Sequence, residues 1–143
     1  MEKILSFLNE FPWPVRVYYE DTDAGGVVYH ANYLKFMERA RTEWLRLLGF
    51  EQDALIADWG IIFVVAHLEL AYRKPARFNE QLTVITTIDE LGKTSITFKQ
   101  VIVRHTQGGE METLTTGTVK VVCVDAEKFR PKAIPIEIKG LLQ

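Results

Sequence analysis

The chain has 143 residues, 48% of them hydrophobic and 25% charged. That balance suits one soluble globular domain and excludes a disordered, collagen-like or disulfide-stapled chain. Seventeen basic and nineteen acidic residues leave a net charge of -2, so no global basic field recommends nucleic acid as a partner, and a single cysteine forbids an internal disulfide.

Residues 1–10 hold a short apolar patch (Ile4, Leu5, Phe7, Leu8). They lack the long apolar run and small-residue cleavage site of a secretory signal. No stretch approaches the ~20 apolar residues of a membrane span. These features set the expectation of a cytoplasmic protein, with the N-terminal patch packing on its own domain and contact with a membrane or a partner left open. Residues 15–19, VRVYY, alternate and are rich in β-formers, so they read as a strand. Of Tyr18 and Tyr19, one is expected in the core. Asp21, Asp23 and the Gly25–Gly26 pair then break the pattern.

A helix is predicted over residues 32–48. Tyr33, Phe36, Met37, Ala40, Trp44 and Leu47 recur at three- and four-residue spacing and share one face. Asn32 fits an N-cap and Gly49 a C-terminal stop. The period then changes. Residues 61–73, 82–88, 96–102 and 114–124 alternate, with turn signals at Lys74-Pro75, Leu91-Gly92-Lys93 and Gln107-Gly108-Gly109. Short connections imply antiparallel neighbours. The tail after Pro131 reads as irregular, with one helical turn. A strand, a helix and four long strands argue an α+β fold, with the helix packed on one face of an antiparallel sheet. Both alternating sets of residues 61–66 are apolar, which points to burial on both sides, by a partner subunit or, for a central strand, within one chain.

The stretch from Tyr18 to Tyr33 carries the chemistry. Glu20, Asp21, Asp23, two glycines and His30 lie between a strand end and a helix start. A helix N-terminus offers free backbone N–H groups and partial positive charge. Such groups can hold a carbonyl oxygen that becomes negative in acyl transfer. Glycines let a ligand approach the backbone, and a nearby carboxylate can act as nucleophile or general base.

The run Asp23-Ala24-Gly25-Gly26-Val27-Val28-Tyr29-His30-Ala31-Asn32-Tyr33 resembles the hotdog-fold acyl-CoA thioesterases of the 4-hydroxybenzoyl-CoA thioesterase type. Its flanks, residues 14–22 and Glu38-Arg39-Ala40-Arg41-Thr42-Glu43, are similar to the Tol–Pal-associated branch. The resemblance is specific over residues 14–46 and covers the chain in element order. It implies a curved five-stranded antiparallel sheet wrapped around one long central helix, as a single domain over residues 1–143 with 1–10 as an extension. It implies a homodimer or homotetramer with active sites between subunits. It also implies hydrolysis of acyl-CoA to a free acid and coenzyme A. Asp23 matches the catalytic aspartate, as nucleophile or as activator of water. His30 matches the position whose backbone N–H polarises the thioester carbonyl. Gly26, Val27 and Tyr29 would line the substrate. No cofactor is implied, because coenzyme A enters as part of the substrate. An acyl carrier protein is a further expected partner, and a peripheral place at the inner membrane is compatible with the branch.

Other residues read more plainly. Asp21 is expected to be a turn or surface residue, and Cys123 a small core residue. His67 and Glu69 share a strand face, but three scattered histidines and one cysteine give no metal spacing. Glu38 and Glu43 compete with Asp23, since related enzymes use a helix glutamate. Their basic neighbours Arg39, Arg41 and Arg46 fit a solvated or interface face and rank them lower. Only Ser6 and Ser95 occur, with no nucleophile elbow. Arg73, Lys74 and Arg77 form a basic turn, equally a coenzyme A phosphate site or a solvated turn. Two rival functions stand beside hydrolysis: a hydratase or dehydratase of acyl thioesters, and a non-catalytic acyl-carrier or envelope interaction module.

Overall fold

The computed structural model describes residues 9–143. The N-terminal patch therefore lies outside the described residues. The elements run β1 (Glu10–Arg16), a 3-10 turn (Tyr19–Asp21), α1 (Asn32–Leu47), and α2 (Gln52–Ala54), which widens into a π-type turn (Leu55–Trp59). Then follow β2 (Ile61–Tyr72), β3 (Gln81–Leu91), β4 (Ser95–His105), β5 (Met111–Asp125) and α3 (Ile136–Leu142). The strands form one antiparallel sheet in the order β1-β3-β4-β5-β2. The α+β reading with five antiparallel strands is borne out. The single-helix picture is not: two short helices accompany the long one, and α3 buries Ile138 and Leu142 in the core.

The first strand also differs from expectation. It begins at Glu10, runs across Pro12 and Pro14, and ends at Arg16. Proline cannot donate to a ladder, which is why the sequence argues against a strand there. Among the described residues its one strand partner is β3, so the prolines cost no ladder bond on the other side. Beyond it, Tyr18 donates its N–H to Asp21 Oδ2 at 2.8 Å, and the chain turns. Both Tyr18 and Tyr19 are consequently exposed, and neither enters the core.

Helix α1 lies on the sheet through Tyr33, Phe36, Met37, Ala40 and Trp44, all buried. Gly49, at φ 99°, ends it as expected, with Phe50 N–H reaching Leu45 O at 2.8 Å. Two apolar clusters lie beneath α1: Tyr33 to Ala40 pack with Leu82, Val84 and Ile102, while Trp44 and Leu45 pack with Ile96, Phe98 and Val121. A polar row separates them. Thr86, Gln100 and Gly117 sit side by side on β3, β4 and β5. Gln100 is fully buried and donates to Met37 O and Thr86 Oγ1, each at 2.9 Å, while accepting from Arg41 at 2.9 Å. This leaves no amide group of Gln100 idle, as a buried polar side chain requires. Burial holds the pKa of Arg41 below its ordinary value. At Gly117 a Cβ would stand 2.6 Å from the Leu70 side chain and 3.0 Å from the Met37 side chain, so any larger residue there requires those two side chain ends to shift.

Strand β2 is an edge strand. Phe63, Val65, Leu68, Leu70 and Tyr72 pair with buried residues of β5 and so share the inner face. Val65, Leu68 and Tyr72 are nonetheless exposed. The expected burial on both sides of this strand is absent within one chain.

Candidate active site

Residues 22–28 fold back on themselves ahead of α1. Thr22 bridges Val28, Asp23 N–H donates to Val27 O at 2.9 Å, and Gly26 N–H returns to Asp23 O at 3.0 Å. Gly26 sits at φ 78°, a left-handed conformation that disfavours a side chain. At Gly25 a Cβ would meet Asp23 Oδ1 at 3.2 Å, where the Gly25 N–H now donates at 2.9 Å. Both glycines are therefore tied to the placement of Asp23. Its carboxylate is exposed at the loop tip, one oxygen holding Gly25 and the other without a hydrogen bond among the described residues.

The loop is anchored from below by Asp21, expected to be a turn or surface residue; it ends the 3-10 turn but is not on the surface. It is buried. Its carboxylate accepts from Tyr18 N–H at 2.8 Å and from Asn32 Nδ2 at 2.9 Å, and its carbonyl accepts from Tyr29 N–H at 2.8 Å. Asn32 is correspondingly not the N-cap. It is the first helical residue, with Ala31 at the cap position, and its amide is spent on Asp21. Spacing along the chain gave no sign of this pairing over eleven residues.

His30 lies at the turn into α1, exposed, with its ring 4.5 Å from Tyr29 and 6.5 Å from Tyr72. The backbone N–H groups of His30 and Ala31 meet no acceptor among the described residues. They are unspent donors at a helix start. The Tyr72 hydroxyl, from the far end of β2, donates to His30 O at 2.7 Å. It fixes the peptide that carries one of those donors. Sequence reasoning missed Tyr72, since nothing local marks the last residue of a strand as a neighbour of this turn.

The basic turn proves adjacent to the loop. Val27 bridges Arg77, and Val28 N–H donates to Ala76 O at 2.8 Å. Tyr33 accepts from Ala76 N–H at 3.1 Å. Arg104 holds the turn by donating to Pro75 O at 3.2 Å and to both Glu80 and Glu112. Burial alone would lower the Arg104 pKa, but the two carboxylates outweigh it and raise it. Lys74 lies 3.5 Å from Glu112, whereas the side chains of Arg73 and Arg77 have no partner among the described residues. Arg73, Lys74 and Arg77 are all exposed.

The competing glutamates sit further along α1. Glu43 pairs with Arg46, which also reaches Glu51 at 3.3 Å. Glu38 is exposed beside the α1–β2 crevice. Cys123 is buried, and burial pushes its thiol up. His67 and Glu69 lie 3.9 Å apart on the surface, and no group of three or more potential ligands gathers among the described residues.

Comparison with known proteins places the chain in a family. Residues 25–110 match the model of the thioesterase superfamily. The chain is 49% identical to the acyl-CoA thioesterase YbgC of Haemophilus influenzae over 132 residues, covering 92% of this chain and 93% of that protein. It is 50% identical over 128 residues to the acyl-CoA thioester hydrolase YbgC of Escherichia coli O157:H7, covering 90% and 92%. Among solved structures, a probable thioesterase from Bartonella henselae superposes with a TM-score of 0.81 at 36% identity, covering 88% of this chain and 99% of that one. The 4-hydroxybenzoyl-CoA thioesterase of a Pseudomonas species superposes at 0.85 with 20% identity, over 93% and 99%, a likeness of fold. The hotdog fold, the Asp–Gly–Gly loop and these relatives together make the chain a member of the thioesterase superfamily, among its acyl-CoA thioesterases.

Proposed function

We propose that this enzyme hydrolyses acyl-CoA thioesters with Asp23 as its catalytic carboxylate. The carrying observation is the free carboxylate oxygen of Asp23 on a loop that also ends in the unspent N–H groups of His30 and Ala31. The thioester carbonyl would accept from those donors, which strengthen their hold as the oxygen turns negative. Asp23 would either attack the carbonyl carbon or take a proton from the water that does. By either route the carbon–sulfur bond breaks, water supplies the new hydroxyl, and the proton ends on the thiolate. Water and a carboxylate suffice, so the reading needs no resident metal or prosthetic group. The names of the YbgC relatives support coenzyme A as the thiol.

Arg73, Lys74 and Arg77 would meet the coenzyme A phosphates, since they sit beside the loop and two of them have unspent guanidinium groups. The acyl group would follow the crevice between α1 and β2. This holds about 110 Å³, with Leu45, Phe63, Val65, Ile96, Phe98 and Val121 on its apolar side and Glu38, Arg41, Thr42 and Gln52 on its polar side. Gly26, Val27 and Tyr29 would line its mouth. A partner subunit would cover the exposed inner face of β2 and complete the site, with one helix centred on each curved sheet. A cytoplasmic location fits this chemistry.

Asp23→Asn is expected to abolish thiol release across an acyl-CoA panel, with folding and oligomeric mass retained. Full activity in that variant would sink the assignment. Appearance of an enoyl or hydroxyacyl product without free thiol would favour the hydratase reading instead.

A further inference from the structure

A second aromatic feature lies beside the loop and is unused by the chemistry above. Tyr19 and Phe78 stack with centroids 4.0 Å apart and planes at 17°. They are 77% and 42% exposed. They line a groove of about 580 Å³ together with Arg16, Tyr18, Glu20 and Asn79. It shares no residue with the α1–β2 crevice.

Each ring stands on a turn that is firmly held. Below Tyr19, the buried carboxylate of Asp21 binds Tyr18 N–H, and Thr22 Oγ1 donates to Tyr19 O at 2.8 Å. Below Phe78, Glu80 accepts from Arg77 N–H at 2.6 Å while it pairs with Arg104. Arg16 donates to Asn79 O at 2.8 Å, and Asn79 N–H donates to Val17 O at 2.9 Å, with Asn79 at φ 69°. Two exposed aromatic rings on preorganised turns present a flat π-surface at little entropic cost on binding. The surface is contiguous with the basic turn, because Phe78 follows Arg77 directly.

Resting on the acyl-CoA reading, we propose that Tyr19 and Phe78 are the platform on which the adenine of coenzyme A stacks. A purine offers a π-face to an aromatic ring, and its neighbouring phosphates would fall near Arg77 and Arg16. Glu20 is the acid in the groove, an acceptor suited to the exocyclic amine of adenine. The site thus prefers a thiol that carries a nucleotide to the same pantetheine arm without one.

The test compares two substrates of one acyl group, the coenzyme A thioester and the truncated pantetheine thioester. The readout is the ratio of their kcat/KM values. The Tyr19→Ala/Phe78→Ala double variant is expected to lower that ratio about tenfold, as loss of a stacked base does. Tyr19→Phe/Phe78→Tyr is expected to keep it. Titration with adenosine 3′,5′-bisphosphate, followed by calorimetry, should show binding to the unmodified enzyme that the alanine variant loses. An unchanged ratio, equal losses on both substrates, or a shift in oligomeric mass would overturn the proposal, the last marking a subunit contact. If the unmodified enzyme releases no thiol from any acyl-CoA, the thioesterase reading falls. The nucleotide titration still decides the platform.

Discussion

Asp21 and Asp23 stand two residues apart and do opposite work. Asp23 reaches solvent with one oxygen uncommitted, while Asp21 is buried and fully engaged between Tyr18 and Asn32. The exposed acid was legible in the sequence because glycines and a helix start follow it. The buried one was not, because aspartate is common in turns and its partner Asn32 looks like an ordinary cap. Asp21→Ala strips two donors of their acceptor in a buried place. It should cost about 2 kcal/mol in denaturant unfolding and lower turnover as the loop loosens. Unfolding and turnover both matching the unmodified enzyme would show that the loop holds itself.

At the scale of elements, α1 and the basic turn are each held by polar groups from strands. Gln100 of β4 binds the helix carbonyl of Met37, and Arg104 of β4 binds the turn at Pro75. Arg104 beside Glu112 holds that carboxyl below the usual glutamate range, with Lys74 adding to the effect. The folded pKa is thus lower than the unfolded one. The stabilisation is fully present above the ordinary glutamate range and is lost as pH falls from there through the lowered folded pKa. Glu112→Gln should therefore narrow the gap between neutral and acid stability. Its unfolding midpoint should differ most from the unmodified enzyme at neutral pH, and the difference should shrink below about pH 4. A constant difference across that range would show that the ion pair is not the source. Periodicity predicted strands 2 to 5 well. It misplaced the first, since the free side of an edge tolerates Pro12 and Pro14 and only the pairing reveals that edge.

At the scale of the molecule, the inner face of β2 is unfinished. Val65, Leu68 and Tyr72 lie in register with buried residues of β5 yet face outward from a single chain. A row of apolar side chains on an edge strand beside an active site is the expected signature of a subunit contact. Leu68→Glu should reduce the mass measured by light scattering toward one chain and remove thioesterase activity with it. An unchanged mass would place the contact elsewhere. No helix among the described residues is long and apolar enough to cross a membrane.

The sequence by itself determined the local chemistry: an acid, two glycines and a histidine ahead of a helix, and four strands with an alternating pattern. These are readable because turn propensity, helical period and strand period are properties of neighbouring residues. Tertiary structure decided what distant residues do to one another. It buried Asp21 against Asn32, set Tyr72 on the His30 carbonyl, and brought Arg77 beside Val27. The last two contacts form because β2 and the turn after it return to the start of α1, a closure that no local pattern encodes. The mildly acidic chain thereby gains a basic surface at its loop, made by placement rather than by composition.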